Sequence, residues 1–195
     1  VRFIRKHSSE YDLDPQRIAL LGESAGAHYA ALAAVSEASG QLIDSRWPNQ
    51  DVPAKVQAVI ALYCPVDLSA LKEYFAVEKM VRGNDTIISE YGGKTSMESV
   101  LFGGPVKDCK WMERISNPEV YLNAQCPPFL FLSGTKDQVI PITETMHFAA
   151  QIMHHTSIDN VLFQVVKGAH HDIHDFEQEW IYDLEEHFLR EKMHC

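Results

Sequence analysis

Arg17-Ile18-Ala19-Leu20-Leu21-Gly22-Glu23-Ser24-Ala25-Gly26 runs from an apolar stretch into a tight glycine-flanked turn, and an alanine-rich segment over 25–34 leaves it. Gly22 to Gly26 match G-x-S-x-G. At ordinary glycine and serine frequencies this pattern arises by chance in about 6% of chains of this length, so the bare motif decides little. Its context decides more. The motif mechanically requires a strand that enters a sharp turn and a helix that leaves it, with the serine hydroxyl presented at the bend. Ser24 is therefore expected in strained backbone geometry, with Gly22, Ala25 and Gly26 small enough to let helix and strand approach. The helix N-terminus would favour negative charge at the site, and the Ala25 N–H would supply one oxyanion donor. The competing reading is a serine that merely caps the helix.

Working outward, three further apolar runs have strand length: 56–63, 128–133 and 161–166. With 17–22 they are nearly continuous rather than alternating, as expected of strands buried on both faces. Helical patterns occupy 25–39, 143–155 and 173–192, and the opening residues 1–11 are also helical until Asp14-Pro15 interrupts. Strands alternating with helices predict an α/β architecture with a mostly parallel sheet flanked by helices. Residues 67–117, with Gly83, Gly92-Gly93 and Gly103-Gly104-Pro105, read as a helix-rich excursion over the strand ends within a single domain spanning 1–195.

A serine hydroxyl needs a base to take its proton and a carboxylate to orient that base. In the arrangement that G-x-S-x-G implies, these follow in the order serine, acid, histidine. The third apolar run ends in Ser133-Gly134-Thr135-Lys136-Asp137 and the fourth in Lys167-Gly168-Ala169-His170-His171. Both lie just past strand ends, where ligands collect in open α/β sheets. Asp137 is the favoured acid, with Asp67, past the second strand, as its rival or as a residue near the pocket. His171 is the favoured base and the adjacent His170 the alternative. His170 and His174 have the spacing of helical metal ligands, but no ligand set is complete around them. No cofactor or metal is expected.

Composition narrows the class further. The 195 residues carry a net charge of −10 and are 46% apolar, which suits a globular domain and argues against nucleic acid, whose phosphates demand basic patches. No apolar run reaches the roughly 18–20 residues of a membrane span. Cys64, Cys109, Cys126 and Cys195 have neither CxxC spacing nor the density of a disulfide scaffold, which fits a reducing, cytoplasmic compartment, with Cys64 a buried thiol. The chain begins at Val1 inside a helical pattern with no visible signal peptide, so it reads as lacking its N-terminal part.

Asp14-Pro15-Gln16-Arg17-Ile18 before Gly22–Gly26 resembles the α/β-hydrolase esterases of the hormone-sensitive-lipase and BD-FAE-like group. So do Cys64-Pro65-Val66-Asp67-Leu68, Pro127-Pro128-Phe129-Leu130, Gly134-Thr135-Lys136-Asp137 and the Gly-x-x-His of Gly168 to His171. The resemblance covers nearly the whole chain. It implies serine carboxylester hydrolysis with Ser24, Asp137 and His171 as the triad, and small or carbohydrate-linked esters, such as acetyl or feruloyl esters of plant polysaccharides, as substrates; Glu23, beside the nucleophile, and Asp67, past the second strand, are the candidate substrate-binding residues. A prolyl-oligopeptidase type of peptidase and a non-catalytic hydrolase-like module are the alternatives. Two departures stand out. Asp172-Ile173 follow the histidine pair where the group commonly has Gly-Phe. The strands and the His-Gly-Gly oxyanion loop that precede the elbow in the group are missing. One oxyanion donor contributes about 3–4 kcal/mol, so this chain alone is expected to be weakly active. Its first strand is expected to leave a sheet edge open to self-association.

Overall fold

The computed structural model describes residues 1–82 and 96–194. Helix α1 (Arg2–Lys6) and a short 3-10 turn lead through Asp14-Pro15 to strand β1 (Ala19–Glu23). Helix α2 (Ala25–Ser39) follows directly, then β2 (Ala58–Leu62), and the excursion carries α3 (Leu71–Arg82), α4 (Met97–Phe102) and α5 (Lys110–Ser116). Strand β3 (Phe129–Gly134), helix α6 (Ile142–His155), strand β4 (Val161–Val166) and helix α7 (Glu179–Met193) complete the order. The expected excursion is helix-rich where it is described. Gly83 and Gly92-Gly93 lie outside the described residues.

The four strands form one sheet in the order β1-β2-β3-β4, all parallel. Side chains alternate across it, so each β2 and β3 residue feeds one of two cores. Val59, Ala61, Phe129 and Phe131 pack with Ala27, Ala31 and Val35 of α2 and with Phe148 and Ile152 of α6. Ile60, Leu62, Leu130 and Leu132 pack with Ile181 and Phe188 of α7. Helices α2 and α6 connect successive parallel strands and share a face, as right-handed crossovers require. Helix α7, after the last strand, covers the other.

Two expectations need correction. Burial on both faces holds for β2 and β3, whose residues are all buried, but not for β1 and β4. These are the sheet's outer strands, and Leu21 of β1 is 61% exposed. A continuous apolar run thus marks a strand without saying whether it is central. The helix expected over 173–192 starts only at Glu179. Asp172 caps a separate single turn by accepting from the His174 N–H, and Asp175 turns its carboxylate back to the His170 N–H and ring. The buried Phe176 then redirects the chain before α7 begins.

Candidate active site

The elbow shows the strain its sequence implies. Ser24 has φ 49° and ψ −121°, a left-handed value for a residue with a Cβ. Its N–H is held by the Leu62 carbonyl of the neighbouring strand. The hydroxyl does not cap α2, which removes the capping reading. A Cβ on Gly22 would lie 2.3 Å from the Gly26 carbonyl oxygen, so glycine is required there for strand and helix to meet. Gly26 itself has open space where a Cβ would go. Its small side is not what permits the approach, contrary to expectation. Ala25 is the first residue of α2 and is exposed, at the end of a helix whose first N–H groups lack intrahelical partners.

Asp137 and His171 are brought together by stitching between the loops after β3 and β4. Thr135 N–H donates to the Val166 carbonyl, Lys136 N–H to the Ala169 carbonyl, and Gly168 N–H to Thr135 Oγ1. The approach is so close that a Cβ on Gly134 would meet the Ala169 carbonyl oxygen at 2.3 Å. Asp137 Oδ1 accepts the N–H groups of Val139 (2.8 Å) and Ile140 (2.9 Å), which locks the carboxylate. Its Oδ2 lies 2.9 Å from His171 Nδ1, and His171 Nε2 lies 2.8 Å from Ser24 Oγ. Because the carboxylate only accepts, Nδ1 carries the proton, Nε2 accepts, and the serine hydroxyl donates. The result is one hydrogen-bonded chain, Ser24–His171–Asp137, over residues 147 and 34 positions apart.

Of the two adjacent histidines, His171 reaches Ser24. His170 points to solvent, its side chain 58% exposed and paired with Asp175 at 3.0 Å. Asp67 is not beside His171. Its Oδ1 accepts from Ser69 N–H, Ser69 Oγ and Ala70 N–H, pinning the turn into α3. Glu23 is exposed and its carboxylate accepts the Tyr63 hydroxyl.

Tyr63 is a neighbour that the sequence reading missed. It leaves β2 with φ 38°, a left-handed value for an aromatic residue. Its ring lies edge-on to His171 and also against Phe176. Burial first, and then the Glu23 carboxylate, push its phenol up, so it stays protonated and donates. Its only sequence signal was its place at a strand end. Two more buried groups escaped notice. His28 donates Nδ1–H to the Pro65 carbonyl, and burial lowers its pKa, keeping it neutral. Glu144 of α6 accepts the N–H groups of Val66 and Asp67 through one oxygen. Burial raises its pKa to about 8.

The cysteine expectation holds for Cys64, which is buried and unpaired, its thiol pushed up by that burial. Among the described residues no helix is long and apolar enough to cross a membrane.

A parallel sheet with a strained serine elbow after its first strand, and an acid and a histidine past later strand ends, defines an α/β-hydrolase fold. The chain belongs to the BD-FAE family, whose model matches residues 1–152. It is similar to a probable carboxylic ester hydrolase, LipM, of Mycobacterium tuberculosis, at 26% identity over 77% of this chain and 31% of the relative. Among solved structures it resembles a bifunctional GH43-CE protein of Bacteroides eggerthii. That match has TM-score 0.81 and 22% identity, covering 98% of this chain and 24% of the other. It also resembles Thermogutta terrifontis esterase 2 phosphorylated by paraoxon, with TM-score 0.62 and 21% identity over 98% of this chain and 60% of that one. The chain spans about a third of the length of the curated relatives it matches.

Proposed function

We propose that this chain, acting as one domain, carries the acyl-transfer site of a serine carboxylester hydrolase that acts on small or carbohydrate-linked esters. The observation that carries the reading is the unbroken hydrogen-bond chain from Ser24 through His171 to Asp137. His171 Nε2 takes the Ser24 proton as Oγ attacks the ester carbonyl. The oxyanion forms where the Ala25 N–H opens α2. Imidazolium His171 then protonates the leaving alcohol, and in the second step it activates the water that releases the acid. Asp137 holds the tautomer and stabilises the charged ring. Glu23 offers a carboxylate to hydroxyls of the alcohol, and Asp67 contributes by fixing the turn that presents Leu68. The names of LipM and of the paraoxon-phosphorylated esterase support ester chemistry at an activated serine.

The open edge of β1, with Leu21 exposed, is proposed as the surface through which the chain self-associates. Light scattering over a concentration series tests that part, and a monomer throughout would refute it.

The direct test of the chemistry is intact-protein mass spectrometry after treatment with a fluorophosphonate. Labelling of wild type and none of Ser24→Ala is expected. Labelling that survives Ser24→Ala would place the nucleophile elsewhere.

A further inference from the structure

A cavity of about 410 Å³ opens beside the elbow, with Ser24 in its wall. Leu68, Leu71, Leu101 and Ile140 make much of the lining, and two buried polar side chains interrupt it, His28 of α2 and Glu98 of α4. The size is that of a small-molecule site, in which a few polar groups set among carbon fix the ligand's orientation. His28 is 2% exposed and Glu98 4%. Among the described residues, neither His28 Nε2 nor Glu98 Oε2 has a hydrogen-bond partner.

Both atoms are acceptors. The Pro65 carbonyl takes the Nδ1–H of His28 at 3.0 Å, and burial keeps the ring neutral, so Nε2 holds a bare lone pair. A buried acceptor left unsatisfied is costly, and a buried carboxylate without a cation is more so. What the two atoms call for is a group that brings several donors.

Helix α4 supplies an independent observation, for its burial is inverted. Glu98 and Ser99 are buried, while Met97 is 60% and Val100 72% exposed. A helix normally turns its charged side outward and its apolar side to the core. The macrodipole favours a glutamate in the first turn of α4, yet it asks only for position and not for burial. Tyr29 supplies another. Its ring lines the cavity and packs edge-on to His28, with centroids 5.8 Å apart and planes at 73°. An aromatic face attracts cations, and among the described residues no lysine or arginine lines the cavity to compete for it. A sugar would need polar partners on many sides, and most of this wall is carbon.

We propose that the cavity binds a protonated primary amine carried on a short apolar body, with Glu98 and His28 accepting its N–H groups and Tyr29 beside it. Ser24 shares the wall, so the substrates of the hydrolase would be esters that bear such an ammonium group. That assignment rests on the acyl-transfer reading of Ser24.

The test is titration calorimetry of the wild-type chain with hexylammonium, hexanol and 1,2-hexanediol, which share one carbon chain and differ in head group. Hexylammonium is expected to bind at least about tenfold more tightly than either, as charge-assisted hydrogen bonds imply. Glu98→Gln keeps the shape and removes the charge. It should lower hexylammonium to the level of hexanol, whose own affinity stays and shows that the variant is folded. Equal binding of hexylammonium and hexanol by wild type, a comparison that needs no variant, would overturn the proposal. So would tightest binding of the diol, which would make this a site for hydroxyls, or an ammonium preference that survives Glu98→Gln. Fluorophosphonate labelling with and without hexylammonium joins the site to Ser24. Labelling slowed by the amine in wild type, and not in Glu98→Gln, is expected. Labelling of Ser24 that saturating amine leaves untouched sinks the substrate assignment and spares the acyl-transfer reading. An ammonium preference without any labelling of Ser24 sinks the acyl-transfer reading, and the substrate assignment with it.

Discussion

The ring of Tyr63 packs edge-on against the imidazole of His171, with centroids 4.5 Å apart and planes at 61°. The residue that does this is itself held in left-handed backbone geometry, and its hydroxyl is tied to Glu23, next to the nucleophile. Such strain costs on the order of 1–3 kcal/mol and persists only where surrounding structure enforces it. Here it fixes the wall against which the histidine rests. Tyr63→Leu should therefore slow phosphonate labelling of Ser24, because a displaced base loses up to about a hundredfold. Tyr63→Phe keeps the ring and should lose much less. Equal effects of the two changes would mean that the hydroxyl, and not the ring, matters.

The base is tested by the histidine pair itself. His171→Ala should abolish labelling of Ser24, while His170→Ala, which removes only an exposed partner of Asp175, should leave most of the rate. Asp137→Asn retains the shape but favours the wrong tautomer, and a loss of about 10⁴-fold is expected. Labelling that depends on His170 instead would overturn the assignment.

Gly22 and Gly26 make a contrasting pair for stability. Gly22→Ala drives a Cβ into the helix backbone and should destabilise by about 1–3 kcal/mol in urea unfolding. Gly26 sits in α2 with room for a Cβ, and alanine there should stabilise by roughly 0.5–1 kcal/mol through helix propensity. The same loss at both positions would contradict the packing described.

Glu144 links stability to pH. Its folded pKa is about 8 against an ordinary 4.5, raised chiefly by burial. Below 4.5 both folded and unfolded chains hold the proton, and this group's stabilisation is complete. Between 4.5 and 8 only the folded chain keeps it, so stability falls as pH rises, at up to about 1.4 kcal/mol per pH unit. Above 8 the fall ends. Glu144→Gln, whose amide oxygen can still accept from Val66 and Asp67, should flatten this part of the urea-unfolding profile. An unchanged slope would assign the pH dependence to other groups.

Sequence alone determined the local features whose causes are local. The apolar runs marked all four strands, the alanine-rich segment marked α2 over the bounds the structure shows, and the glycine spacing around Ser24 specified a strained turn. The order of Ser24, Asp137 and His171 past strand ends followed from alternating strands and helices, because the side chains at those ends share one edge of a parallel sheet. Tertiary structure decided the rest. Which of two adjacent histidines faces Ser24 depends on the backbone direction set by the stitch between Lys136 and Ala169 and by the Asp175 contact to His170. That β1 and β4 lie outermost, that Tyr63 walls the histidine, and that α4 turns its apolar side outward are likewise invisible to periodicity. Hydrophobic pattern says what must leave water; only long-range packing says which neighbour covers it.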